Sequence, residues 1–336
     1  MKTKLFLPII FITFMLPLLF CGCNYGGDDN DYIPIYQDAI YIMDTDGSNK
    51  QKVIDVDNCD NVQFIPNSNK LLYLADNSLY TVNEDGTENT KISGELEIAT
   101  PPLISEDGLF CYFTGNASKR MTYFDIYTMD IQNESFYNIT VLDNDQIGDI
   151  NYKQGFIVYI SISNNDIYSL KKINVNTSNY DTIYIASEES IILSPVFGQT
   201  TDNTFFTSQS GIYKINNYNQ CEIIIDDEYG IRLFYPFEET LFFESTSNEI
   251  VNFNLSNSVL NYLANGYLPD FSNNTMIYST NWGDYNSEVR LFNLTTFEDT
   301  FLSEHAYKGK FSDNAQIITY IGKYITNPNS KNLITR

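Results

Sequence analysis

Apolar and polar residues alternate along most of the chain after about residue 33, in short runs separated by Asn, Asp, Ser and Gly. Alternation with period two is the mark of a strand with one buried face. One run recurs: an aliphatic residue, often Tyr, a spacer, an apolar residue, then Asp or Asn. It reads Ile40-Tyr41-Ile42-Met43-Asp44, Leu79-Tyr80-Thr81-Val82-Asn83, Ile126-Tyr127-Thr128-Met129-Asp130, Ile167-Tyr168-Ser169-Leu170 and Ile212-Tyr213-Lys214-Ile215-Asn216. Weaker copies are Ile250-Val251-Asn252-Phe253-Asn254 and Val289-Arg290-Leu291-Phe292-Asn293. Successive copies lie between 38 and 47 residues apart. That is the period of a propeller blade.

A second motif precedes most copies and reads strand, polar turn, apolar strand. Its clear versions are Phe64 to Tyr73, Pro102 to Tyr112, Pro269 to Tyr278 and Phe311 to Tyr320. Blurred versions sit at Ile150 to Ile160, Pro195 to Thr207 and Phe234 to Glu244. The turns Asp44-Thr45-Asp46-Gly47 and Asn83-Glu84-Asp85-Gly86 carry Gly where a tight hairpin needs positive φ. They lack the downstream Glu of an EF-hand loop, so they read as hairpins rather than calcium sites.

The combined pattern resembles the TolB-like β-propeller repeat: Pro-x-aromatic-Ser, an Asp-Gly turn, an apolar strand ending in an aromatic, then Ile-Tyr-x-apolar-Asp. Pro269, Phe271, Ser272 and Tyr278 match it, as do Pro102, Ser105, Asp107, Gly108 and Tyr112. The Pro that precedes the Asp in that family is missing in both of these copies, and most copies lack the Gly. The resemblance spans residues 33 to 323 and implies the fold, together with protein–protein interaction in the cell envelope.

Residues 39 to 54 supply the outer two strands of a blade without an inner pair. Residues 305 to 323 supply an inner pair with little after it. Joining the leftovers closes a ring and protects its edges. The expectation is an all-β protein with a single β-propeller domain over 33–336. Seven blades are expected, with six as the alternative, and a β-sandwich is the competing all-β fold.

The first 22 residues change the picture from a domain to an exported protein. Lys2 and Lys4 precede an apolar run from Leu5 to Phe20, broken only by Thr13 and two prolines. This is too short for a spanning helix and reads as a signal peptide over 1–22. Gly22-Cys23 resembles the bacterial lipobox, which implies diacylation of Cys23. Phe20 and Cys21 depart from its usual residues. Residues 23–32 then form a flexible tether, Asn24 to Asp31 being polar and glycine-bearing. A lipid-anchored envelope protein is expected, with the outer membrane or cell surface favoured by Asn24.

Aromatic content, with 26 Tyr and 23 Phe, fits β-structure. The chain has 43 acidic against 19 basic residues, a net charge of −24. Such a surface repels phosphate backbones and anionic headgroups, which excludes nucleic acid and leaves the lipid anchor as the route to the membrane. Cys59, Cys111 and Cys221 are an odd set without metal spacing, so buried free thiols are expected, with one disulfide among them as the alternative.

Chemistry is sparse. His305 is the only His, so a His-built zinc site is excluded by number and no metal or cofactor is expected. The candidate ligand contacts are Asp149 and Asp270, near inner strands, Trp282 in the loop 280–285, and His305. Two functions follow. The first is a monomeric, non-catalytic scaffold that binds an envelope protein, peptide or glycan. The second is a surface polysaccharide hydrolase or lyase working through channel carboxylates, which requires Asp149 and Asp270 to converge.

Overall fold

The computed structural model of the chain describes residues 35–116, 124–140, 145–187, 190–208, 211–226, 231–237, 239–245, 247–272, 274–281 and 286–326. Cys23, Trp282 and the tail beyond 326 lie outside them. All regular structure among the described residues is strand, gathered into seven antiparallel sheets that form a seven-bladed β-propeller.

Blade 1 runs through Cys59–Phe64, Lys70–Ala75, Ser78–Asn83 and Thr90–Lys91. Blade 2 uses two short inner pieces, Glu97–Ile98 and Leu103–Ile104, then Phe110–Asn116, Asp125–Asp130 and Ser135–Asn138. Blades 3 to 6 each place four consecutive strands in sequence order. Their inner strands are Gln146–Lys153, Ile192–Phe197, Ile231–Phe237 and Tyr267–Ser272. Inner strands of successive blades pack on one another around the ring, as those of blades 3 and 4, or 6 and 7, do.

Blade 7 closes the ring as the leftover strands require. Its inner pair, Ala306–Phe311 and Ile317–Thr326, comes from the C-terminal end; its outer pair, Ile35–Asp44 and Gln51–Val56, comes from the N-terminal end. The junction is an unbroken antiparallel ladder from Ile35↔Thr326 to Asp44↔Ile317. The long pairing removes two sheet edges at once.

The second strand of each blade is apolar at successive positions because both of its faces are buried. In blade 1, Leu71 and Tyr73 face blade 7, while Leu72 and Leu74 face blade 2. Blade 3 does the same with Ile157 and Tyr159 against Val158 and Ile160. The buried side chains form seven clusters, one in each seam between neighbouring blades. The core is therefore a ring of seams rather than one central mass.

The Asp-rich turns behave as hairpins. Gly47 and Gly86 both have φ +83°. Asp46 and Asp85 accept the backbone N–H groups of Ser48 and Thr87 at 2.8 and 2.9 Å. Those carboxylates are engaged by their own turns. The three described cysteines are free; Cys59 and Cys111 are buried, but Cys221 is exposed at the start of an outer strand, which corrects the expectation that all three are buried.

Candidate functional site

Every inner strand is interrupted in its first half or at its middle. Pairing with the second strand skips residues 148–149 in blade 3, 194–195 in blade 4, 232 in blade 5, 268–269 in blade 6, 308–309 in blade 7 and 60 in blade 1. In blade 2 the gap widens to residues 99–102, where Pro101 and Pro102 offer no N–H to the ladder. A bulge bends the strand and re-aims its side chains, and bulges cluster beside functional sites. This device presents a different residue at one level of each blade.

The bulges of three consecutive blades meet at one cavity of about 530 Å³. Lys308 and Lys310 line it from blade 7, Asp60, Asn61 and Gln63 from blade 1, and Ala99, Pro101 and Pro102 from the gap in blade 2. Leu74, Ile98 and Leu103 complete an apolar wall. Gln63 Nε2 donates to the Pro102 carbonyl at 2.7 Å, tying blade 1 to the opened segment. The volume is typical of small-ligand pockets.

Both lysines are held from neighbouring blades. Lys308 Nζ donates to the Asp60 carbonyl, with the Asp60 carboxylate at 4.0 Å. Lys308 has φ +55°, the first of its bulge pair, and burial pulls its ammonium below the usual lysine value. Lys310 Nζ lies 3.3 Å from Asp270 Oδ1. Next to them, Tyr307 Oη donates to Asp38 Oδ2 at 3.3 Å, and burial raises the Asp38 carboxyl. Burial also pushes the Cys59 thiol up to about 12, so it is no nucleophile.

The two candidate carboxylates do not come together. Asp149 sits in the bulge of blade 3, where its Oδ2 accepts the Ser194 N–H of blade 4 at 3.0 Å. Asp270, just after the bulge of blade 6, accepts the Phe311 N–H of blade 7 at 2.9 Å and pairs with Lys310. Each ties its inner strand to that of the next blade. Asp270 borders the cavity through Lys310; Asp149, in the blade next to blade 2, is not among the residues that line it. His305 is the joint between blades 6 and 7. It has φ +53°, its carbonyl accepts the Lys323 N–H at 2.7 Å, and it is half-buried outside the cavity lining. Trp282 lies outside the described residues.

Sequence reasoning did not pick out Lys308, Lys310, Asp60 or the Pro101-Pro102 gap. Two signals were available: a Lys-Gly-Lys triplet inside an inner strand of an acidic chain, and a Pro pair where a strand should continue. Among the described residues, no group of three or more His, Cys, Asp or Glu is placed to hold a metal ion.

Neither a protein-family model nor a curated protein sequence matches the chain. Solved structures do match in shape. A protein assigned as TolB from Agrobacterium tumefaciens aligns with a TM-score of 0.54 and 13% identity, over 87% of this chain and 100% of that one. An oligogalacturonate lyase from Vibrio parahaemolyticus gives 0.63 and 13%, over 86% and 98%. A puromycin-hydrolyzing peptidase of Mycobacterium tuberculosis gives 0.62 and 10%, over 76% of this chain and 48% of that one. At such identities the likeness speaks for the fold alone. The class is thus the β-propeller, here with seven blades.

Proposed function

We propose that this protein is a lipid-anchored envelope scaffold that binds a partner through the cavity shared by blades 7, 1 and 2. The observation that carries the reading is the lining itself. An apolar wall of Leu74, Ile98, Pro101, Pro102 and Leu103 faces amides and lysines across about 530 Å³. Such mixed concave sites bury an apolar group while a few polar groups fix its orientation. Asp149 and Asp270 are engaged by backbone amides of neighbouring blades, which speaks for recognition over acid–base chemistry.

The anchor belongs to the same proposal. Export by residues 1–22 and acylation of Cys23 would hold a monomeric propeller at the outer membrane or cell surface on the tether 24–32. The partner is an envelope protein, peptide or glycan. A Cys23→Ser variant is expected to leave the membrane fraction, and its retention there would remove the anchor from the proposal. Purified protein used as bait is expected to recover a specific envelope partner, and Leu103→Arg to lose it. Recovery of nothing specific, or recovery indifferent to Leu103→Arg, overturns the reading.

The competing reading is a polysaccharide hydrolase or lyase, and it draws on the shape shared with the Vibrio lyase. Incubation with acidic and neutral polysaccharides tests it: new reducing or unsaturated ends that vanish in Asp270→Asn would put the enzyme reading in front.

A further inference from the structure

The cavity is electrostatically out of keeping with the chain. The protein carries 43 acidic and 19 basic residues, yet two lysines and one aspartate line this site. Asp270, the counter-ion of Lys310, is not among the lining residues. Lys310 Nζ makes a long hydrogen bond of 3.3 Å to Asp270, and Lys308 Nζ donates to the Asp60 carbonyl with the Asp60 carboxylate at 4.0 Å. An ammonium offers three donors, so the single long bond to Asp270 leaves room for a closer anion on Lys310.

Polarity is ordered across the site. The cations come from blade 7. Side-chain amides of Asn61, Gln63 and Asn77 come from blade 1, and the apolar wall of Ile98, Pro101, Pro102 and Leu103 comes from blade 2. Amides both donate and accept, which matches the alternating N–H and C=O of a peptide backbone. Lys308 is desolvated, which strengthens its attraction for an anion that enters the cavity.

We infer that the cavity takes the C-terminal end of a peptide chain, with its free carboxylate on Lys308 and Lys310 and an apolar last side chain against Ile98, Pro101 and Leu103. The inference rests on the binding reading above and names the ligand class for that same site. An aliphatic or aromatic side chain fills the wall, the preceding peptide unit meets the amides, and the chain leaves through the open mouth.

The test is calorimetric titration of the full-length protein with N-acetyl-Leu-Leu, its C-terminal amide, and octanoate. The acid is expected to bind about tenfold or more tightly than the amide, the scale of a hydrogen bond to a charged group. It is also expected to bind more tightly than octanoate, and its advantage over the amide to shrink in Lys310→Gln and as salt is raised. The acid–amide comparison on the unaltered protein needs no variant to fold. Equal affinity of acid and amide, equal affinity of octanoate, or binding of none of them overturns the inference. If any of these is found while bait experiments still recover a partner through Leu103, the ligand class fails and the scaffold reading stands. If the bait experiment fails too, both fall.

Discussion

Asp270 gives the sharpest test of how the blades are held together. Its Oδ2 accepts the half-buried Phe311 N–H at 2.9 Å, and its Oδ1 meets Lys310 at 3.3 Å. A hydrogen bond to a charged group contributes about 1.5–3 kcal/mol. The lysine pair is about a third exposed on each side, so it adds about 0–1 kcal/mol after screening by solvent. Asp270→Ala therefore costs about 1.5–4 kcal/mol. With an unfolding entropy of about 2.1 cal/mol/K per residue over about 290 folded residues, that is a loss of about 2–7 °C in Tm. Asp270→Asn keeps an acceptor for Phe311 and should lose about half as much. Asp149→Ala removes a bond to the Ser194 N–H in an exposed setting, where water replaces it, and should cost about 1–2 °C. Differential scanning calorimetry of the three variants reads the order. If Asp149→Ala is as damaging as Asp270→Ala, or Asp270→Ala melts with the parent, partial burial at the seam between blades 6 and 7 does not set the strength of this latch.

Other expectations concern closure, core, thiols and pH. A Cβ at Gly322 would stand 2.7 Å from the Tyr41 ring, so Gly322→Ala should cost about 1–3 kcal/mol by overpacking and make residues 35–56 more sensitive to limited proteolysis. Phe243, fully buried in the seam between blades 4 and 5, should cost about 3–5 kcal/mol when cut to Ala, read from the shift in the denaturation midpoint. A disulfide reagent should modify Cys221 in the native protein, but Cys59 and Cys111 only after unfolding; early labelling of Cys59 would contradict its burial. Burial acts to raise the Glu106 carboxyl, but the Gln154 N–H at 2.7 Å and the Tyr152 hydroxyl at 2.8 Å outweigh it and hold Glu106 below the usual carboxylate value. Its stabilisation is therefore present above the ordinary carboxylate pKa and lost as pH falls through the lowered one. Glu106→Gln should flatten that acid limb of the Tm–pH profile, and an unchanged limb would refute the assignment.

Much of the fold was legible because a propeller repeats a local pattern. The recurring Ile-Tyr-x-apolar-Asp runs are third strands, and continuous apolar runs such as Lys70–Ala75 are second strands buried on both faces. The weak copies at 150–160, 195–207 and 234–244 proved to be full blades because partners on both sides supply the burial that their own patterns signal poorly. Asp149 and Asp270 were legible as residues of inner strands, but not as latches. Their role depends on which backbone N–H the next blade brings opposite them.

The sequence by itself determined the blade period, the hairpin turns at Gly47 and Gly86, and the unmatched strand pairs at either end that force closure. Those are properties of residues close together in the chain, or of counting. Tertiary structure alone decided the cavity. Lys308 and Asp60 are 248 residues apart and meet only because the ring closes between them. The bulges that aim them inward are offsets in pairing register, set where two strands align their hydrogen bonds. Neither composition nor periodicity carries that information, because a skipped pair leaves the alternation on either side nearly intact.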